Sequence, residues 1–152
     1  MITKPTTDTL IEDCCRELME GILPGLTDET LKLRLVMIET VLRNAAVRAA
    51  HEIAWMHEET AVLLAYARRV AARHGSAALR AALADAGAGP ADSLHLADVA
   101  DRYERAGKAF AAALAAAQEA GAADLVAQAR EVLRDRIATE KKVMATYEVV
   151  GR

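Results

Sequence analysis

Residues 28–74 read DETLKLRLVMIETVLRNAAVRAAHEIAWMHEETAVLLAYARRVAARH, a run without a single glycine or proline, bounded by Thr27 and Gly75. Such a run predicts one long helix. At about 1.5 Å per residue it would extend roughly 70 Å, well beyond the usual globular helix. Thr27 is the expected N-cap, with Asp28 and Glu29 in the first turn, and Arg73 and His74 ahead of Gly75 form the matching C-terminal end. Residues set at 100° intervals place Leu31, Leu35, Ile38, Leu42, Ala45, Ala49, Ile53, Met56, Thr60, Leu63, Ala67 and Val70 in one stripe, the expected core seam. A second stripe, about a third of a turn away, carries Leu33, Met37, Asn44, His51, Trp55, Val62 and Tyr66. One neighbouring helix cannot cover both, so a self-associating chain is expected.

The rest of the chain is read outward from that helix. A first helix is expected from about Thr7–Thr9, with Thr9 and Glu12 at capping-box spacing. Its apolar face is Leu10, Ile11, Cys14, Cys15, Leu18, Met19, Ile22 and Leu23, and Pro24-Gly25 ends it. Ser76 should cap a short helix, 77–86, and Gly87-Ala88-Gly89-Pro90 is the strongest breaker. Asp92 or Ser93 should restart a helix running to about Ala120, closed by Gly121, and a last helix is expected over 123–147. Its apolar positions are Leu125, Val126, Ala129, Val132, Leu133, Ile137, Val143 and Met144. The short connection makes these two an antiparallel hairpin, and Ala109, Ala112, Ala113, Ala116 and Ala117 would let its backbones approach closely. The expected fold is therefore all-α: a bundle of four to five helices built on one very long helix plus a C-terminal antiparallel hairpin. It is read as one domain, 1–152, with a break near 87–91 between the N-terminal helices (about 8–86) and the hairpin (about 93–147).

Composition agrees with that fold and narrows the chemistry. Hydrophobic residues make up 53% of the chain and aromatics only 3%; alanine, with 35 of 152 residues, fills the gap. The net charge of -3 comes from interspersed acids and bases, which argues against nucleic acid or an anionic membrane as partner. No apolar leader opens the sequence and no run of eighteen uncharged apolar residues follows, so a cytoplasmic location is expected. Cys14 and Cys15 are adjacent in a helical pattern, where geometry opposes a disulfide, and at least one is read as a small buried apolar residue.

The cluster His51-Glu52-Ile53-Ala54-Trp55-Met56-His57-Glu58-Glu59 looks most like chemistry. A di-iron bundle requires Glu-x-x-His steps, which place two ligands on one helix face. Arg48, Ala54 and Ala71 stand three residues before His51, His57 and His74, so that step is absent, and so is His-Glu-x-x-His. No metal and no cofactor are expected. Asn44, Arg48, His51, Glu52, Trp55 and Glu59 share a flank best read as a partly buried polar network, and with Tyr66 they are the candidate ligand or partner residues. Trp55, the sole tryptophan, is the candidate interface anchor. Asp92-Ser93-Leu94 resembles the phosphopantetheine site of acyl carrier proteins, but over three residues only, and Arg102 and Arg105 interrupt the acidic face such carriers present. Helix capping explains Asp92 and Ser93 sufficiently.

Residues 5–56 carry a broader likeness. Pro5-Thr6, Ile22-Leu23-Pro24, Arg34-Leu35-Val36-Met37-Ile38 and Leu42-Arg43-Asn44-Ala45 resemble a family of uncharacterised bacterial helical proteins. That family accompanies aminoglycoside-phosphotransferase-like kinases and is sometimes fused to them, so the resemblance implies a phosphotransferase-like partner and no catalytic residues. The expectation is a non-catalytic helical association protein: a homo-oligomer, or an accessory subunit of a phosphotransferase-like or acyl-CoA-related enzyme. Its rival is a small-molecule-binding or enzymatic bundle with a pocket beside His51, Glu52 and Trp55.

Overall fold

The computed structural model describes residues 4–90 and 92–143, and every described element is helical. Helix α1 is Thr7–Arg16, α2 Glu29–His74, α3 Ala77–Ala86, α4 Leu96–Glu119 and α5 Ala123–Val143. Positions beyond 143, Met144 among them, lie outside the described residues. The fold is thus all-α with one very long helix. The chain gathers into two compact units, residues 4–52 with 139–143, and residues 53–138. The division falls inside α2, whereas the Gly87–Pro90 breaker is a turn within the second unit.

In the second unit, four helical segments close around one core. Leu63, Tyr66, Ala67 and Val70 of α2, Leu79 and Ala86 of α3, Ala106, Ala109, Phe110, Ala113 and Ala117 of α4, and Leu125 and Ala129 of α5 form one buried cluster. Alanine at four successive contact turns of α4 leaves no side-chain bulk to hold the helices apart, so the larger residues of α2 fill the space instead. The Tyr66 and Phe110 rings meet at 5.0 Å between centroids, tilted by 47°, the offset geometry aromatic pairs favour.

The ends of these helices are set by local chemistry. Ser76 Oγ accepts the Leu79 N–H at 3.1 Å, as its spacing predicts. Gly121, at φ 63°, supplies the left-handed residue that turns the chain from α4 into α5. Arg105 donates to the carbonyls of Asp85 (3.4 Å) and Ala88 (3.0 Å), tying α4 to the turn that follows α3. Two caps fall elsewhere than expected. Asp28, not Thr27, caps α2: its Oδ1 accepts the N–H groups of Thr30 (2.7 Å) and Leu31 (3.4 Å). Asp92 and Ser93 do not start α4, which begins at Leu96, because Ser93 Oγ turns to Asp98 (2.5 Å) and accepts the His95 N–H (3.3 Å).

The first unit departs further from the expected pattern. Helix α1 begins after Thr6 without a side-chain cap, and Thr6 Oγ1 meets Thr9 Oγ1 at 3.0 Å, so the Thr9–Glu12 capping box does not define its start. It continues as a π-helical turn, Glu17–Ile22, and a 3₁₀ turn, Leu23–Gly25, where Pro24 and Gly25 end it as expected. The expected face is only partly covered: Cys15 is buried, Cys14 exposed, Leu10 50% and Ile22 43% exposed.

On α2 the expected core seam holds only where the second unit surrounds it. Thr60, Leu63, Ala67 and Val70 are buried, but Leu31, Ile38 and Ile53 are 45%, 53% and 36% exposed. The buried residues of the first stretch of α2 are Glu39 and Ala46, which lie roughly a fifth of a turn from the centre of the expected seam. Cys15 Sγ, 3.9 Å from the Glu39 carbonyl, marks the contact of α1 with that face.

Candidate functional site

Three polar arrangements merit attention, two in the first unit and one in the second. The first is a cleft of about 310 Å³ lined by Glu12, Cys15, Arg16, Met19, Glu20, Glu39 and Arg43. Glu39 is its innermost group, with a side chain only 7% exposed and its carboxylate held by Arg43 one helical turn on. Burial, then the neighbouring Glu39 carboxylate, pushes the Cys15 thiol pKa up. A protonated thiol is a poor nucleophile and a poor metal ligand, so Cys15 acts as packing.

The second is an open depression along α2, about 430 Å³, lined by Val41, Asn44, Ala45, Arg48, Ala49 and Glu52. Three expected candidates, Asn44, Arg48 and Glu52, therefore converge. Arg48 Nε donates to Glu52 Oε2 at 2.5 Å across one turn, which fixes the polar edge of the depression. Its floor is alanine. His51 is exposed.

The third arrangement ties three helices of the second unit. Tyr103 of α4 donates its hydroxyl to Glu59 Oε2 of α2 at 2.8 Å, and Arg136 of α5 reaches Glu59 Oε1 at 3.4 Å. The Arg136 guanidinium also lies over the Tyr103 ring, 5.7 Å from its centroid. Glu59 thus belongs to a polar network, although Tyr103 and Arg136 are not among the expected candidates. Arg136 carries a readable signal: on α5 it falls in the same stripe as Leu125, Ala129 and Val132, and a charge on a packed stripe requires a partner. His57, nearby on α2, has its Nδ1 3.4 Å from Arg102 Nη2.

We expect Tyr103→Phe to destabilise the second unit by about 1 kcal/mol, the order expected for a partly exposed hydrogen bond to a carboxylate. Urea denaturation followed by circular dichroism checks it. A change below the error of the measurement would show that water replaces the hydroxyl at no cost.

Of the remaining candidates, Tyr66 is placed differently from expectation. Tyr66 is a core residue, fully buried, with its hydroxyl donating to the Leu125 carbonyl at 3.2 Å. Of the second stripe in this unit only Tyr66 joins the core, whereas Val62 is 49% exposed. Trp55, the candidate anchor, is partly buried. The arginines outside these groups are ordinary surface residues: Arg73 pairs with Asp124 at 2.6 Å, and Arg68, Arg69 and Arg80 are exposed.

Among the described residues no cluster of three His, Cys, Asp or Glu side chains is placed to hold a metal ion, and no helix is long and apolar enough to cross a membrane. No protein-family model, curated protein or solved structure matches the chain.

Proposed function

We propose that this protein works by association, through the first half of α2, and not by catalysis. The observation that carries this reading is a run of large apolar side chains left in solvent on successive turns. Leu33 and Met37 are each 62% exposed, Ile38 53% and Val41 65%. Solvated apolar side chains scattered singly mean little, but a contiguous strip on one helix is the surface of a binding site. The polar groups nearby lack a catalytic arrangement. Arg48 is tied to Glu52, Arg43 to Glu39, and the Cys15 thiol is held protonated.

A homo-oligomer is the form of association this strip supports first. An accessory subunit of a phosphotransferase-like or acyl-CoA-related enzyme is the alternative occupant, the former supported by the likeness of residues 5–56 to proteins that accompany such kinases. A small-molecule pocket beside His51, Glu52 and Trp55 has less support, because His51 is exposed and Glu52 is engaged by Arg48.

Sedimentation velocity tests the reading. The wild-type chain should sediment above its 16.3 kDa monomer mass in the micromolar range. Met37→Lys with Val41→Lys should return it to the monomer, with the thermal melting curve otherwise preserved, since both positions are exposed. A wild-type monomer removes the homo-oligomer, and a double variant that still self-associates removes this strip.

A further inference from the structure

We propose that the occupant of this surface is a second copy of the chain, docked antiparallel on the first half of α2. The inference rests on the association reading above and adds the partner and the register. The strip has two unlike ends. Its N-terminal end projects large side chains, Met37 and Val41, and its C-terminal end is the depression floored by Ala45 and Ala49. All four lie within about a third of the helix circumference, so one partner helix meets them together. A surface with projections at one end and a matching hollow at the other is complementary to its own copy turned end for end, the isologous contact of a two-fold dimer.

One register satisfies both ends. Set Val41 of one copy opposite Ala45 of the other. Stepping outward in opposite directions along the two helices then brings Met37 opposite Ala49 and Arg34 opposite Glu52. Each projection meets an alanine, and the outermost pair is of opposite charge. Arg34 is exposed and makes no ion pair or hydrogen bond among the described residues. Glu52 binds Arg48 through Oε2, and its Oε1 makes no hydrogen bond among the described residues. The charge match recurs twice by symmetry. In a parallel pairing at equal heights Met37 would face Met37, the hollows would face each other unfilled, and Arg34 would face Arg34.

Cysteine cross-linking tests the register. In a Cys14→Ser, Cys15→Ala background, Met37→Cys with Ala49→Cys should give an interchain disulfide joining peptide 37 to peptide 49 on mild oxidation. Within one chain these positions are about 18 Å apart and cannot bridge. Met37→Cys alone should not cross-link. In an orthogonal arm without cysteines, Arg34→Glu should weaken the dimer about tenfold, and adding Glu52→Arg should restore it. Ala49→Glu, which fills the hollow with charge, should weaken it by about thirtyfold or more. A chain that is dimeric but cross-links position 37 to position 37 of its copy, or ignores Ala49→Glu, overturns the antiparallel register while association stands. A parent that is monomeric at every concentration overturns the second copy as occupant.

Discussion

Tyr66→Ala is expected to lower the stability of the second unit by about 3–5 kcal/mol, the range for truncating a fully buried aromatic residue. Tyr66 is fully buried, its ring packs on Phe110, and its hydroxyl is bound to the Leu125 carbonyl. Apart from Phe110, the α4 residues in this core are alanines, which have no side-chain length with which to fill the space. Tyr66→Phe keeps the ring and should cost at most about 1 kcal/mol. The hydroxyl adds a pH signature. Burial raises the Tyr66 pKa above its usual 10.0, so the unfolded chain loses this proton before the folded chain does. Stability from the neutral phenol is complete below pH 10 and declines as pH rises past it towards the folded value. Urea midpoints at neutral and alkaline pH, wild type against Tyr66→Phe, measure both effects. A Tyr66→Ala loss under about 1.5 kcal/mol would contradict the packing described for this core.

How far the sequence could be read follows from which forces act locally. Ser76, Gly121 and the Pro24-Gly25 stop work through their own backbone neighbours, and each sits where its residue type implied. Sequence reasoning puts the cap of α2 on Thr27 and Asp28 in the first turn, whereas Asp28 forms the cap because its Oδ1 reaches two N–H groups. Ser93 shows the limit of cap reasoning, since a tertiary choice, the Asp98 carboxylate, took its hydroxyl. The faces of α2 were legible only in part. From Thr60 to Val70 the apolar stripe is deep enough to name the core, though Tyr66 shows that it does not tell how many sides are covered. From Leu31 to Ile53 both stripes are rich in large apolar residues, and the helix instead buries Glu39 and Ala46. No periodicity count chooses a glutamate over Ile38 as the inner position. What decides it is where the π turn of Glu17–Ile22 aims α1, a feature with no sequence signature of its own. Among the candidate residues, Asn44, Arg48 and Glu52 were legible as a group because they share one helix. The Glu59 partners Tyr103 and Arg136 required knowledge of how three helices meet.

The buried glutamate makes the second large expectation, in the first unit. Arg43→Met should destabilise by about 2–3 kcal/mol, towards the low end for breaking a buried ion pair because the adjoining cleft admits solvent. Glu39 has a side chain only 7% exposed, whereas its partner Arg43 is 62% exposed. The two deletions are therefore unequal. Removing the guanidinium leaves a carboxylate between helices with its counter-charge gone. Removing the carboxylate leaves a guanidinium that already stands in water, so Glu39→Leu should be within about 1 kcal/mol of wild type, and it adds apolar contact beside Cys15 and Met19. The double variant Glu39→Leu, Arg43→Met should then resemble Glu39→Leu alone, with a coupling energy of about 2 kcal/mol between the sites. Urea denaturation of the four proteins at one pH measures the cycle. Equal losses from the two single changes, or strict additivity in the double, would mean that Glu39 is not held inside by Arg43. The buried face of α2 in this unit would then have to be sought on the stripe of Leu31 and Ile38, and the apolar strip offered to a second copy would be the core of the protomer.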